Sequence, residues 1–388
     1  MISTLRLFNP EHDLALASNS DHFDAPQSAK IFACEFAYLP MWLSRGEDAI
    51  WVKNTNTKWF NEMQEMFPQL RGISVIQEFQ DCEKIIPWGW DKAICRTLVK
   101  QGFQNVLNLE QLDFIRNISH RKLSIEATKY IQKLTNLSVK LALPAKLLKE
   151  DEVDFFVREN PYAIFKAPWS GSGKGIIRSL GCLSENLLNR VKNIAKKQGS
   201  VLAEPLYTVV QNFALEFLCK NGKTSFSGYS YFFTDEHGAY KGNLLATDEY
   251  IENQLNVWIP QKDLQIIKDF YIHFFDEKIA HTYSGYLGVD MFVYQQDNEY
   301  CIHPCVEINV RMTMGLFARL FYDSFVEKGM VGTYFVDYFA DSKQLIENHK
   351  HKLKERLAVC SGKIQGGYVS LTPIVTDTHY RARVEFID

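Results

Sequence analysis

A glycine-rich stretch, FKAPWSGSGKGIIRSL at residues 165–180, has the composition of a phosphate-binding loop. Glycines and serines alternate from Ser170 to Gly175, with Lys174 among them, and Lys166 lies in the apolar run just before. Backbone N–H groups of such a loop can point together at an anion, and a lysine adds positive charge. The stretch therefore predicts a glycine-rich hairpin that cradles phosphate groups.

Two common phosphate-binding loops do not fit this stretch. The Walker A loop needs a glycine where this chain has Pro168, and it follows its lysine with Ser or Thr where this chain has Gly175. The dinucleotide fingerprint fails as well, because the glycines are spaced G-x-G-x-G and no strand–turn–helix unit follows in register. The loop therefore needs another explanation.

A second polar group lies in GYLGVDMFVYQQDNEYCIHPCVEINVRMTMG, residues 285–315. Asp290 interrupts an apolar run, and Glu307, Asn309 and Arg311 alternate along another predicted strand, on one face of it. Oxygen ligands at Asp290, Glu307 and Asn309 suit Mg²⁺, and the neighbouring Arg311 suits a phosphoryl group or a carboxylate. The alternative is a structural salt bridge between Asp290 and Arg311.

The elements that would position these residues follow from the hydrophobic pattern. Alternating strands and helices over residues 1–118 predict an open α/β sheet. Residues 119–202 predict a small α+β lobe that begins with a helix capped by Ser119, and long strands fill residues 203–388. Helices are predicted at 29–45, 260–281 and 315–342. The C-terminal segment 366–386 either adds an edge hairpin or lines the substrate side.

Residues 119–320 resemble the ATP-grasp superfamily. The resemblance rests on two features together: the glycine loop, and the E-x-N-x-R pattern of Glu307, Asn309 and Arg311 that follows the mid-strand acid Asp290. The resemblance implies an N-terminal open α/β domain at 1–118 on the substrate side. It further implies a two-lobed ATP-grasp fold, with the small lobe at 119–202 and the large lobe, which carries the metal site, at 203–388. ATP would lie between the two lobes with Mg²⁺.

The resemblance also implies roles for single residues. The first phosphate-contacting residue is Lys122, or Arg121 instead, and Lys166 is the second. Glu204 lies near the adenine amino group, the backbone of Leu206 meets the ring, and Asn212 or Glu216 approaches the ribose. The catalytic residues are Arg311 and Lys241. The flexible loop consists of Ser170, Gly171, Ser172, Gly173, Lys174 and Gly175, and the magnesium ligands are Asp290, Glu307 and Asn309.

Polar and aromatic residues after two N-terminal strands are candidates for substrate binding. They are Asn9, Glu11, His12 and Asp13 in FNPEHDLALA, and Trp88 and Trp90 in PWGWDK. The first group equally fits an ordinary helix start, with Asn9 as N-cap and Pro10 at the first helical position. The two tryptophans fit packing beneath the loop as well as an aromatic wall for a ligand.

Composition and charge limit the classes of protein to which the chain can belong. A net charge of −3 gives no reason to expect nucleic acid as a partner, and no apolar stretch reaches the length of a membrane span. The N-terminus lacks the pattern of a signal peptide, and the eight cysteines have no regular spacing, so we expect a cytoplasmic protein. Cys301, His303 and Cys305 fit no zinc pattern well.

These features favour an ATP-dependent ligase of the carboxylate–amine type that works through an acyl phosphate on small-molecule substrates. No protein nucleophile is needed, in line with the absence of a Ser–His–Asp or Cys–His signature. A small-molecule kinase on the same scaffold, or a non-catalytic nucleotide-binding protein, remains open. The sequence identifies neither substrate.

Overall fold

The computed structural model describes residues 2–78, 80–171, 175–181 and 183–386. The predicted loop residues Ser172, Gly173 and Lys174 lie outside the described residues. The helices are α1 (His12–Ser18), α2 (Gln27–Glu35), α3 (Thr57–Met66), α4 (Lys92–Lys100), α5 (Leu109–Ile118), α6 (Lys122–Ile131), α7 (Val153–Glu159), α8 (Glu185–Gln198), α9 (Asp248–Leu255), α10 (Gln261–Lys278), α11 (Met314–Phe325) and α12 (Ser342–Lys352). Short 3₁₀ helices span Leu39–Leu43, Pro68–Leu70 and Glu150–Glu152.

The strands of the described residues form three sheets. In chain order they are β1 (Ile2–Leu7), β2 (Ala49–Trp51), β3 (Ser74–Ile76), β4 (Cys82–Pro87), β5 (Lys140–Leu141), β6 (Lys146–Leu148), β7 (Tyr162–Lys166), β8 (Ile176–Leu180), β9 (Val201–Pro205), β10 (Thr208–Lys220), β11 (Lys223–Thr234), β12 (Tyr240–Leu245), β13 (Gly285–Gln296), β14 (Glu299–Asn309), β15 (Gly332–Tyr338), β16 (Ala358–Cys360), β17 (Lys363–Ser370) and β18 (Tyr380–Phe386). None of the described helices has the length and apolar character needed to cross a bilayer.

The N-terminal sheet has the order β3-β2-β1-β4, and its paired strands run parallel, so the predicted open α/β sheet is confirmed. Leu5, Ile85 and Leu98 lie in its core. Because parallel strands end at the same edge, the segment after β1 meets the segment after β4. That edge faces the start of α11, where the backbone N–H of Met312 donates to the carbonyl of Trp88 at 3.0 Å.

The small sheet has the order β6-β9-β7-β8 and packs against α7 and α8. β7 and β8 are antiparallel neighbours, with Lys166 opposite Ile176, so the glycine-rich stretch connects the two strands of a hairpin as predicted. Lys166 is the last residue of β7, directly before the loop.

The large sheet has the order β16-β17-β18-β15-β12-β11-β10-β13-β14-β5. One core cluster joins β10, β13 and β14 to α6 and α10, and another packs α11 against the N-terminal helices. β17 pairs with β18 and β18 with β15, so the C-terminal segment extends this sheet, as the edge-hairpin alternative predicted. The domain limits at 118 and 202 stay predictions, although α6 and β5 pack on the large sheet and β9 continues to Pro205.

Three predicted helices differ from the observed ones. The helix predicted at 315–342 ends at Phe325, and Gly332–Tyr338 is a strand, in keeping with its β-branched and aromatic residues. The helix predicted at 29–45 ends at Glu35, and a 3₁₀ turn containing Pro40 follows, because proline has no N–H to continue the helix. Ser119 does not begin α6, which starts at Lys122 with Arg121 at its N-cap; Ser119 is instead the C-cap of α5, and its hydroxyl donates to the carbonyl of Ile115 at 2.7 Å.

Candidate active site

The register of β13 and β14 sets the acidic face of the site. Asp290 lies directly opposite Glu307, and Gly288 lies opposite Asn309, so the three predicted magnesium ligands share one face of the large sheet. A bulge follows towards the next pair, Phe292 with His303. Between the two pairs β13 has one residue, Met291, whereas β14 has three. Pro304 lies within this bulge, where it cannot donate a ladder hydrogen bond.

The two facing carboxyl groups repel each other in a buried setting. Burial and then the charge of Glu307 raise the pKa of Asp290 to about 7, against an opposing hydrogen bond from Asn309. Burial also raises the pKa of Glu307, although Arg121 partly offsets it. No three His, Cys, Asp or Glu side chains come together as a metal-holding group in the described chain. Two carboxylates and one amide oxygen nevertheless fit Mg²⁺, which usually completes its shell with waters and substrate phosphates.

Arg121, rather than Lys122, reaches the acidic face. Its guanidinium lies 2.9 Å from Oε2 of Glu307 and donates to the carbonyls of Ala167 at 3.0 Å and Ser170 at 3.2 Å. Lys122 is exposed, and its Nζ donates instead to the side chain of Asn117. Of the two alternatives that the sequence left open, the structure therefore brings Arg121 to the site and corrects the choice of Lys122.

Arg311 is held by a residue of the N-terminal domain. Its Nε and Nη2 donate to the two oxygens of Asp13 at 3.1 and 2.7 Å, a bidentate ion pair. Burial raises the pKa of Asp13, but Arg311 outweighs that effect, so the net pKa is below its usual value. Arg311 therefore pairs with Asp13, not with Asp290, and the alternative of an Asp290–Arg311 salt bridge is wrong.

The start of the glycine loop closes over these pairs. A Cβ atom added to Gly171 would lie 1.8 Å from Oδ2 of Asp13 and 3.3 Å from Nη2 of Arg311. The adjoining cavity, lined among others by Ser170, Glu307 and Asn309, holds only about 10 Å³. Glycine is required at position 171 because the backbone approaches the ion pair so closely.

Lys166 belongs to a buried triad that links the two lobes. Its Nζ pairs with Oε1 of Glu204 on β9, and Oε2 of Glu204 lies 3.0 Å from Nε2 of His303 on β14. Burial raises the pKa of Glu204, but Lys166 and His303 outweigh it, so the carboxylate stays ionised. Sequence reasoning considered His303 only as a metal ligand beside Cys301 and Cys305. Its partner Glu204 is 99 residues away in the chain and lies on another sheet, so no local pattern in the sequence joins the two.

A cavity of about 630 Å³ lies beside the predicted hinge. Leu206 and Tyr207 line it from one side, and Tyr294 and Cys301 from the other. The backbone N–H of Leu206 donates to the carbonyl of Tyr162 at 3.2 Å, so it is not directed at a ligand. The cavity has the size of a small-molecule pocket.

Three further predicted residues lie on the large sheet or at its edge, and two of them, Lys241 and Glu216, differ in position from the prediction. Asn212 lies opposite Phe292 on the site face, one pair beyond Asp290. Lys241 is half exposed and lies 3.8 Å from Asp235, with no contact to the acidic face in the described structure. Glu216 faces Gly288 beside the magnesium ligands and not a ribose position, and its Oε1 accepts from Thr313 at 2.9 Å. Burial and then Asp290 raise the pKa of Glu216 to about 8.

The N-terminal candidates divide into one site residue and several structural ones. Only Asp13 contacts the charged cluster. Asn9 donates to the carbonyl of Gly89 at 2.7 Å, and His12 lies 3.3 Å from Asp91, so both tie the segment after β1 to the segment after β4. Glu11 has a pKa raised by burial. Trp88 packs edge-on against Phe8, and Trp90 packs against two core clusters, so both tryptophans are packing residues.

Comparisons with known proteins agree with this architecture. No family model and no curated protein matches the sequence. Among solved structures, biotin carboxylase of Campylobacter jejuni in complex with an ATP analogue aligns with a TM-score of 0.51 and 9% identity, over 100% of this chain and 88% of that one. Pyruvate carboxylase of Rhizobium etli aligns with a TM-score of 0.53 and 11% identity, over 100% of this chain and 36% of that one. The chain therefore has the ATP-grasp fold, and the predicted fold class is confirmed.

Proposed function

We propose that the protein is an ATP-dependent ligase of the carboxylate–amine type with small-molecule substrates. The observation that carries the proposal is the facing pair Asp290 on β13 and Glu307 on β14, with Asn309 at the end of β14 and Arg311 two residues beyond it, within an ATP-grasp fold. The biotin carboxylase of Campylobacter jejuni, which has this fold, was solved in complex with an ATP analogue, and this supports ATP as the energy source.

The charged side chains of the site can bind different groups of a nucleoside triphosphate. Asp290, Glu307 and Asn309 would hold Mg²⁺, which when bound offsets the charge of the β- and γ-phosphates. Arg121 and Lys166 lie on either side of the loop start, where they can hold phosphate oxygens. Arg311 can stabilise the transferring phosphoryl group once the nucleotide and the substrate compete with Asp13 for it.

In this proposal a substrate carboxylate attacks the γ-phosphorus of ATP, the bond to ADP breaks, and an acyl phosphate forms. An amine then attacks the acyl carbon, the amine loses a proton, and inorganic phosphate leaves with one oxygen of the original carboxylate. Gly171, at the start of the loop, closely approaches Asp13, which supports a role of this loop start in excluding water and so protecting the acyl phosphate. The reaction needs no covalent intermediate on the protein.

The experiment follows an oxygen atom. Amino acids and small carboxylates are screened for ADP release, and the active carboxylate is then labelled with ¹⁸O. One label in the released phosphate is expected with the wild type and with the exposed control Glu277→Gln, but not with Asp290→Asn. A stable phosphorylated hydroxyl compound without released phosphate would contradict the ligase and identify a kinase.

A further inference from the structure

Asp13 places a carboxylate of the chain itself inside the candidate active site. It lies on α1, yet both of its oxygens accept hydrogen bonds from Arg311, and the two side chains are 18% and 13% exposed. Asp13 also lines the small cavity that Glu307 and Asn309 line. Its carboxylate therefore lies where the proposed reaction brings a substrate carboxylate close to the phosphates.

Arg311 does not depend on Asp13 alone for its position. Its Nη1 donates to the carbonyl of Met312 at 3.1 Å, an anchor within its own segment. The side chain of Asp13, by contrast, has no hydrogen-bond partner other than Arg311 in the described part of the chain. Because both side chains reach solvent, an incoming anion can replace Asp13 at modest cost.

The pair also limits the room at the site. The cavity beside it holds about 10 Å³, which is about what one water molecule needs. A Cβ atom added to Gly171 would lie 1.8 Å from Oδ2 of Asp13, so the start of the loop rests on this carboxylate. A substrate carboxylate and a γ-phosphate together need more room than this, so Asp13 must leave Arg311 before both can be bound.

We propose that Asp13 restrains ATP turnover, because it occupies the position of the substrate carboxylate on Arg311. This inference rests on the proposed function and adds its regulation. A substrate carboxylate presents the same two oxygens to Nε and Nη2 and so displaces Asp13. Until then the transfer of the γ-phosphoryl group to water is slow, because it lacks the stabilisation that Arg311 supplies. In that side reaction water attacks the γ-phosphorus, the bond to ADP breaks, and phosphate and a proton are released.

The test measures ATP hydrolysis with Mg²⁺ in a buffer that contains no carboxylate. Asp13→Asn retains the size of the side chain but removes its charge. It should hydrolyse ATP about tenfold faster than the wild type, because Arg311 is then free to act on the γ-phosphate. Asp13→Ala should change the rate in the same direction. Asp21→Asn, the same change at an exposed acid beyond α1, is the matched control and should stay within about twofold of the wild type.

A second measurement distinguishes the release of Arg311 from damage to the fold. Calorimetric titration in the presence of Mg²⁺ gives the affinities for ATP and for ADP, which lacks the γ-phosphate. We expect Asp13→Asn to prefer ATP over ADP about fivefold more strongly than the wild type does, since Arg311 can then contact the γ-phosphate. An unchanged or lowered preference would overturn the inference.

Hydrolysis by Asp13→Asn at or below the wild-type rate, with ATP binding retained, would also overturn it and show that Asp13 positions Arg311, while the proposed function would stand. Equal acceleration in Asp21→Asn would overturn it as well, because the effect would then be one of general charge. A folded wild type that does not bind ATP would contradict the proposed function itself.

Discussion

Two clusters of buried arginines and carboxylates can be compared, one at the end of β14 and one between β15 and β18. In the second place Arg381, which is 1% exposed, donates to Asp337 at 2.6 Å, to Asn348 at 2.7 Å and to the Tyr368 hydroxyl at 3.2 Å. Arg383 pairs with the same Asp337. Each carboxylate of this C-terminal cluster has at least one cation beside it.

The candidate active site has the same residue types without that balance. Arg121 and Arg311 pair with Glu307 and Asp13, but Asp290 and Glu216 have no ion pair within the described residues. Their pKa values are raised, to about 7 and about 8, mainly by burial and by their acidic neighbours. A cluster that only stabilises the fold can satisfy its own charges, whereas one that binds a cation retains uncompensated negative charge.

The largest expected effect is on stability, and it tests the C-terminal cluster around Arg381. Asp337→Ala leaves Arg381 buried without its carboxylate, and such a loss typically costs about 3–5 kcal/mol in the free energy of unfolding. Urea denaturation measures this change. The matched control is Asp269→Ala, an exposed acid on α10, which should change the free energy by less than about 0.5 kcal/mol. A similarly small change in Asp337→Ala would remove the contrast between the two clusters.

The next effect is on catalysis, and it distinguishes Arg121 from Lys122 at the start of α6. Arg121→Ala should lower kcat/KM by about 100-fold, or about 2.7 kcal/mol, because Arg121 holds both the loop start and Glu307. Lys122→Ala should change it by less than about twofold, since Lys122 contacts Asn117 at the surface. Steady-state kinetics of ADP release measures both. The reverse order would restore Lys122 as the phosphate contact.

This pair illustrates what the sequence could predict. The strands, the glycine hairpin and the face shared by Glu307 and Asn309 follow from local periodicity, and the structure has them. Whether Arg121 or Lys122 points inward depends on where α6 begins, which tertiary packing decides. Lys241 fits the family pattern in the sequence, yet its side chain lies beside Asp235 at the surface.

Long-range partners were the least predictable part. Asp13 and Arg311 are 298 residues apart in the chain, and no local pattern joins them. His303 and Glu204 are 99 residues apart and lie on different sheets, so no local pattern joins them either. The helix predicted at 315–342 was wrong at its C-terminal end, where β15 forms instead and pairs with β12 and β18, two strands that are distant in the chain.

A smaller effect is expected at the loop. Gly171→Ala places a Cβ against Asp13 and should move the loop start, lowering kcat/KM by about tenfold. Asp13→Ala removes the carboxylate that causes the clash. The double variant should therefore be no slower than Asp13→Ala alone. Additive losses in the double variant would show that Gly171 acts in another way.

The last expected effect is a pH dependence, which is measured as a slope. The pKa of Glu216 is about 8 in the folded chain and near 4.5 ordinarily, so the folded state holds this proton more tightly. The resulting stability is complete below the ordinary pKa and is lost as the pH rises through the folded pKa. The free energy of unfolding should thus fall by up to about 1.4 kcal/mol per pH unit between these values, and Glu216→Gln should flatten that slope. An unchanged slope in Glu216→Gln would contradict the assignment, and Glu277→Gln serves as the exposed control.

The most direct test of the central claim is calorimetric titration of ATP into the protein with and without Mg²⁺. The unbalanced acidic face predicts binding by the wild type that depends on Mg²⁺, and a loss of at least about 100-fold in affinity in the double variant Asp290→Asn/Glu307→Gln. The control Glu277→Gln should bind as the wild type does. Absence of binding by folded wild-type protein, or undiminished binding by the double variant, would contradict the claim that this face is a nucleotide and metal site.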